Sequence, residues 1–184
     1  MSPRKAATSR RPEPAPHRPV DARVSAGCAI VTVSDTRGPD DDTSGACAQG
    51  LLEAAGHRVV VRRWVRDDKA AIRRTVRVLL TRRDVDAIVV TGGTGASKRD
   101  VTPEALEPLY SRPLPGFGER FRSRSEAQVG PAAWLSRASA GVASGRLLVL
   151  LPGSIEAVRL ALDRVLLPVM GHLLQLMGRT PLRK

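Results

Sequence analysis

The chain has 184 residues, of which 42% are hydrophobic and only 3% aromatic, and it carries a formal net charge of +12. That length suits one domain whose core is aliphatic and alanine-rich rather than built on rings. Two cysteines, Cys28 and Cys47, exclude a disulfide framework, no apolar run reaches membrane-spanning length, and no charged-then-apolar start reads as a secretion signal, so a reducing cytoplasm is the expected location.

Residues 1–24 contain six Lys/Arg against two Asp/Glu, with Pro3, Pro12, Pro14, Pro16 and Pro19 interspersed. Such a composition cannot bury a core and reads as a disordered basic tail, leaving 25–184 as the domain. A basic protein can bind polyanions. The sequence offers no aromatic stacking platform and no compact basic recognition helix, so the charge is read as a solvated arginine-rich surface and no nucleic-acid partner is expected.

Cys28 to Val33 reads as a first strand, followed by a polar loop from Ser34 to Asp42. Thr43 or Asp42 caps a helix running to about Ala55, which Gly56 ends. Val59 to Val65 is a second strand, its apolar pattern interrupted by Arg62 and Arg63. Asp67 or Asp68 caps a helix to about Thr81, with Ile72, Val76, Leu79 and Leu80 as its apolar stripe. Val85 to Val90, almost wholly apolar, reads as a strand buried on both faces. Strands alternating with helices across short loops imply a right-handed parallel sheet.

Thr91-Gly92-Gly93-Thr94-Gly95 follows directly, then Asp100 and a helix start at Thr102-Pro103-Glu104, with Thr102 read as the cap. A short helix to about Tyr110, a turn at Arg112 to Gly116, and a helix from Gly118 to Gln128 come next. Leu135 to Val142 and Arg146 to Leu151 read as two strands around Ser144-Gly145. Pro152-Gly153-Ser154 turns into a long last helix to Met177, which Pro168 should kink or divide. The expected fold is a three-layer α/β/α domain with a mostly parallel sheet and a small β-hairpin extension.

Parallel sheets place ligands at the carboxyl ends of their strands. Polar loops leave those ends at Ser34-Asp35, Asp67-Asp68, Thr91 to Asp100 and Pro152-Gly153-Ser154. Each also has a packing explanation: a turn, a helix cap, or a surface pair of Asp100 with Arg99 or Lys98. Their convergence favours a site. Glycines beside threonines let bare N–H groups approach an anion, and a phosphate is the natural one. An acid beside that anion would repel it unless the two share a Mg²⁺ ion. The loop lacks the Gly-Lys-Ser/Thr of a P-loop and the spacing of a dinucleotide fingerprint. No nucleophilic triad is present, and His57 reads as a surface cap after Gly56.

Seven motifs in register resemble the MoaB/Mog family of molybdenum cofactor biosynthesis. They are Val33-Ser34-Asp35, Asp42-Thr43-Ser44-Gly45, Thr91 to Gly95, Arg99 to Glu104, Pro115-Gly116-Phe117-Gly118-Glu119, Leu135-Ser136-Arg137-Ala138 and Leu151 to Ser154. Ser34-Asp35-Thr36-Arg37 and Asp42 to Gly45 look closer to the MoaB branch than to the Mog branch. The resemblance implies a molybdopterin-binding domain that assembles as a homotrimer or homohexamer and works beside other proteins of that pathway. It implies either adenylylation of the terminal phosphate of molybdopterin by Mg-ATP, releasing pyrophosphate, or binding of molybdopterin without catalysis. The family's acids map onto Asp67 (or Asp68, with the register slipped by one) and Asp100, as catalytic and Mg²⁺-holding residues. Its phosphate-binding turn maps onto Thr91, Gly92, Gly93, Thr94 and Gly95. Its pterin-contacting positions map onto Ser34, Asp35, Glu119, Ser136, Pro152, Gly153 and Ser154.

Overall fold

The structure, a computed structural model, describes residues 25–36 and 38–178. The tail expected over residues 1–24 lies outside them, as does Arg37. A six-stranded sheet runs in the order β2-β1-β3-β6-β5-β4. Its strands are β1 (Gly27–Val33), β2 (Arg58–Val65), β3 (Ala87–Thr91), β4 (Arg112–Pro113), β5 (Ser139–Ala143) and β6 (Arg146–Leu151). β2, β1, β3 and β6 are parallel, while β5 and β4 add antiparallel to the β6 side.

Period-two alternation sorts the central strands into two cores. Cys28, Ile30, Ala87, Val89, Leu147 and Val149 face one side and pack against α1 (Thr43–Ala54), α4 (Pro115–Val129), α5 (Ile155–Ala161) and α6 (Leu167–Leu176). Ala29, Val31, Ile88, Val90, Leu148 and Leu150 face the other and pack against α2 (Lys69–Thr81) and α3 (Thr102–Leu106). The molecule is therefore a three-layer α/β/α domain. Because β1 is flanked by β2 and β3, and α1 and α2 cover opposite faces, the chain changes direction between β1 and β3. A crevice opens there beyond the strands' carboxyl ends.

Both margins of the sheet are interrupted. β2 leaves Arg58, Arg62 and Arg63 exposed, which explains charges inside an otherwise apolar run. β4 has only two residues, and Pro113 brings no amide hydrogen to the ladder.

Several local expectations change. Asp42 is the N-cap of α1, its side chain accepting from Gly45 N–H. Asp68, not Asp67, caps α2 by accepting from Ala71 N–H at 2.7 Å. Thr102 does not cap α3: it is the first helical residue, fully buried, and its hydroxyl donates to Gly92 O at 2.9 Å. The turn expected at Arg112 to Gly116 is split between β4 and the start of α4. The strand expected from Leu135 begins only at Ser139, because Gly130–Leu135 coils as a 3₁₀ helix started by Pro131. His57 is buried rather than a surface cap, its ring Nδ1 accepting from Ala26 N–H at 3.2 Å.

The last helix is divided as Pro168 requires. Leu162–Leu166 forms a π turn in which Leu167 N–H donates five residues back to Leu162 O, and α6 begins with Pro168 in its first turn. Among the described residues no helix is long and apolar enough to cross a membrane.

Candidate functional site

The loops leaving β1, β2, β3 and β6 meet around a cavity of about 330 Å³. Ser34 and Asp35 come from the first loop, Asp67 from the second, Gly92, Gly93, Thr94, Gly95 and Asp100 from the third, and Pro152, Gly153 and Ser154 from the fourth. Thr32, Asp42, Ser44 and Arg99 also line it.

Glycine is obligatory in the third loop. Gly92 and Gly93 have φ of +106° and +63°, in the left-handed region. A Cβ at Gly92 would run into Val33 O, and one at Gly93 would lie 2.8 Å from Asp67 Oδ1. A Cβ at Gly95 would lie 2.8 Å from Asp100 Oδ2. The bare loop thus lets both carboxylates lie directly against the backbone.

The N–H groups of Gly93, Thr94 and Gly95 find no protein acceptor among the described residues, and neither do those of Gly153 and Ser154. Thr94 is buried and Gly93, Gly95 and Gly153 are half-buried, where amides are rarely left so, while Ser154 is exposed. These amides come from two loops that touch: Gly92 N–H donates to Leu151 O at 2.9 Å, and a Cβ added at Gly153 would lie 3.4 Å from Gly92 Cα. They form a concave set of donors suited to an anion.

The acids share this space. Asp35 Oδ1 accepts from Asp67 N–H at 3.0 Å, and Asp67 Oδ1 accepts from Val101 N–H at 3.3 Å. Asp100 Oδ2 accepts from Ser97 N–H at 3.0 Å. Burial pushes the Asp67 carboxyl above the ordinary range. The Val101 amide opposes this, the charges of Asp100 and Asp35 add to it, and Arg99 opposes it. The acid at the cavity is thus not the one that caps α2, and its carboxyl is raised. Among the described residues no group of three or more His, Cys, Asp or Glu side chains could hold a metal by itself. Two hard carboxylates beside an anion cradle nonetheless match what Mg²⁺ uses when substrate phosphates complete its shell.

Asp42 closes one wall. Thr32 Oγ1, Gly45 N–H and Arg62 Nη2 all donate to it, each at 2.8 Å. Burial pushes its carboxyl up, but the Arg62, Gly45 and Thr32 hydrogen bonds and the Arg62 charge outweigh that, and the net shift is downward.

Three expected residues lie elsewhere. Thr91 is fully buried beneath the loops, and its hydroxyl donates to Pro152 O at 2.9 Å, tying the third loop to the fourth. Glu119 and Ser136 line a second, larger cavity of about 780 Å³ between α3, α4 and β5, together with Tyr110, Arg122 and Trp134. Tyr110 is held there by its hydroxyl at 3.1 Å from Ser139 Oγ, and burial raises its phenol. Arg137 belongs to both regions. It lines the larger cavity, yet it donates to Gly95 O at 3.0 Å and Asp100 O at 2.6 Å and pairs with the Glu104 carboxylate. Arg137 falls in the Leu135-Ser136-Arg137-Ala138 motif, but nothing in that motif shows its role, because its partners lie 33 to 42 residues away.

A family described as "Probable molybdopterin binding domain" matches residues 29–172. The chain belongs to this family. Similar proteins include ones named molybdenum cofactor biosynthesis protein B. The chain is 45% identical over 149 residues to molybdenum cofactor biosynthesis protein B of Halalkalibacterium halodurans, covering 80% of this chain and 88% of that protein. It is 42% identical over 149 residues to the protein of the same name in Bacillus subtilis, with the same coverage. A crystal structure of molybdenum cofactor biosynthesis protein B superposes with a TM-score of 0.83 at 41% identity, covering 86% of this chain and 99% of that one. The family read from the seven motifs is the one found.

Proposed function

We propose that this family member binds molybdopterin and transfers the adenylyl group of ATP to its terminal phosphate. A phosphate oxygen of molybdopterin attacks the α-phosphorus of ATP. The bond from that phosphorus to the bridging oxygen breaks, and pyrophosphate leaves with the electron pair. The observation that carries this reading is the set of unengaged amides at Gly93, Thr94, Gly95, Gly153 and Ser154, in residues that line the same cavity as Asp67 and Asp100.

The protein's part is positioning and electrostatics. The amides would donate to phosphate oxygens without reorganising, since the loop is already bare. Arg99, which lines the cavity, supplies positive charge beside the reacting phosphates; Lys98 lies outside the lining. Asp67 and Asp100 are the residues that would hold Mg²⁺, and Asp35 adds to the negative field around Asp67. The ion, when bound, neutralises charge on the phosphate oxygens. The larger cavity, with Glu119, Ser136 and an aromatic pair in Tyr110 and Trp134, has the size and lining for a pterin ring. Assembly as a homotrimer or homohexamer belongs to the same reading, and light scattering on the purified protein reads it.

A non-catalytic molybdopterin carrier is the second reading, favoured by one oxygen of each acid being engaged by a backbone amide. Purified protein supplied with molybdopterin, ATP and Mg²⁺ separates the two. Stoichiometric pyrophosphate with adenylylated pterin is expected. Tight pterin binding with no pyrophosphate would leave only the carrier.

A further inference from the structure

The geometry points to Arg137 as the positioning residue that fixes the phosphate loop and Asp100 against the larger cavity. This deepens the proposed transfer reaction and rests on it. Residues 95–100 lie between the last glycine of the loop and the acid. Within that stretch the hydrogen bonds are local: Asp100 N–H donates to Ser97 O at 3.0 Å, and Ser97 N–H donates to Asp100 Oδ2 at 3.0 Å. Among the described residues, Arg137 alone ties the stretch to another part of the molecule. Its Nε donates to Gly95 O at 3.0 Å and its Nη2 to Asp100 O at 2.6 Å, so one guanidinium spans both ends.

Two further contacts fix the guanidinium itself. Arg137 N–H donates to Thr94 O at 3.0 Å, which anchors its backbone to the loop. Its Nη1 pairs with the carboxylate of Glu104 in α3, and that bond is the main cause of the lowered Glu104 carboxyl. A planar fork with donors on separate nitrogens can hold two carbonyls and a carboxylate together; an ammonium on a flexible stem cannot hold the same set at fixed angles. Arg137 touches no reacting atom on this account. It acts through Gly95 and Asp100, keeping an amide donor and a carboxylate at a set separation.

The test compares wild type, Arg137→Gln and Arg137→Lys in two measurements. Hydrogen exchange reads the Ser97 and Asp100 amides, with Thr102 as internal control, since its amide donates to Gly93 O independently of Arg137. Titration calorimetry reads binding of Mg²⁺ with a non-hydrolysable ATP analogue. In Arg137→Gln, Ser97 and Asp100 are expected to exchange at least about tenfold faster while Thr102 is unchanged, and affinity is expected to fall about tenfold. Arg137→Lys should keep the Glu104 pairing and the fold but recover only part of the affinity. Unchanged exchange at Ser97 and Asp100, analogue binding within about twofold of wild type, or complete recovery by lysine would each overturn the positioning role. Wild type that binds no Mg²⁺-analogue at all would instead remove the transfer reading, and this inference with it.

Discussion

The two ends of the sheet use the same chemical groups to opposite effect. At the amino end, Gly27 N–H donates to Asp86 Oδ2 at 2.9 Å, Asp86 N–H returns a bond to Gly27 O at 2.7 Å, and His57 accepts from Ala26. Carboxylate, imidazole and amides there satisfy one another. At the carboxyl end the loop amides are left without protein acceptors, and the carboxylates repel one another across the cavity. What marks a site is therefore not which polar residues are present but whether their neighbours already satisfy them. Stability should reside at one end and activity at the other, with little exchange between them.

The sharpest break in that contrast would come from Asp100→Asn. Asparagine can still accept from Ser97 N–H, so the melting temperature should hold within about two degrees while pyrophosphate release falls at least a hundredfold, roughly 3 kcal/mol of barrier. Normal turnover would erase the difference between the ends.

Asp67→Asn should lose a comparable share of turnover but gain stability. The folded state raises this carboxyl, so the native protein holds its proton more tightly, and the ionised form costs stability that grows as pH climbs through the window above the unfolded value near 3.8. Denaturation at pH 7 should show the variant more stable than wild type by up to about 1 kcal/mol, with the gap closing toward pH 3. A loss of stability at neutral pH would contradict the strain assigned to this end.

Asp86→Ala tests the opposite end. It strips the acceptor from Gly27 N–H and should cost about 1–3 kcal/mol by urea denaturation while leaving turnover per folded molecule unchanged. His57 sharpens the point with the opposite pH sign. Burial lowers its pKa, so the unfolded chain takes up a proton first, and stability should drop as pH falls below the unfolded value near 6.5. His57→Asn, which can still accept from Ala26, should flatten that drop.

The smallest effect concerns the thiols. Cys28 is fully buried in β1, and burial, then the Asp86 charge, push its thiol up to about 12. A thiol reagent should titrate Cys47 alone in the native protein and both cysteines after denaturation.

Much of this architecture is legible in the chain because it is encoded locally. β1 and β3 are unbroken apolar runs, Gly56 and Gly92 sit where the backbone turns left-handed, and Pro168 meets a helix whose register must shift. The convergence of Ser34, Asp67, Gly93 and Ser154 follows from strand order alone. Choices between neighbours are not encoded that way. Either Asp67 or Asp68 could cap α2, and only packing turns one outward and the other toward Val101. Glu119 and Ser136 belong to motifs of the same family resemblance as the site residues, yet α4 and the 3₁₀ helix carry them to the larger cavity. Thr91 sits in the glycine run but is spent bracing Pro152. Arg137 sits in a motif whose residues do not tell its role until its distant carbonyl partners are brought to it.

The interrupted margins of the sheet govern how copies of this chain can meet. Arginines line one border and a proline-bearing pair of residues forms the other, so neither offers an incoming strand a clean ladder. Strand addition between copies is disfavoured at both borders. The same discouragement of strand addition guards a concentrated solution of the protein against templated fibre growth.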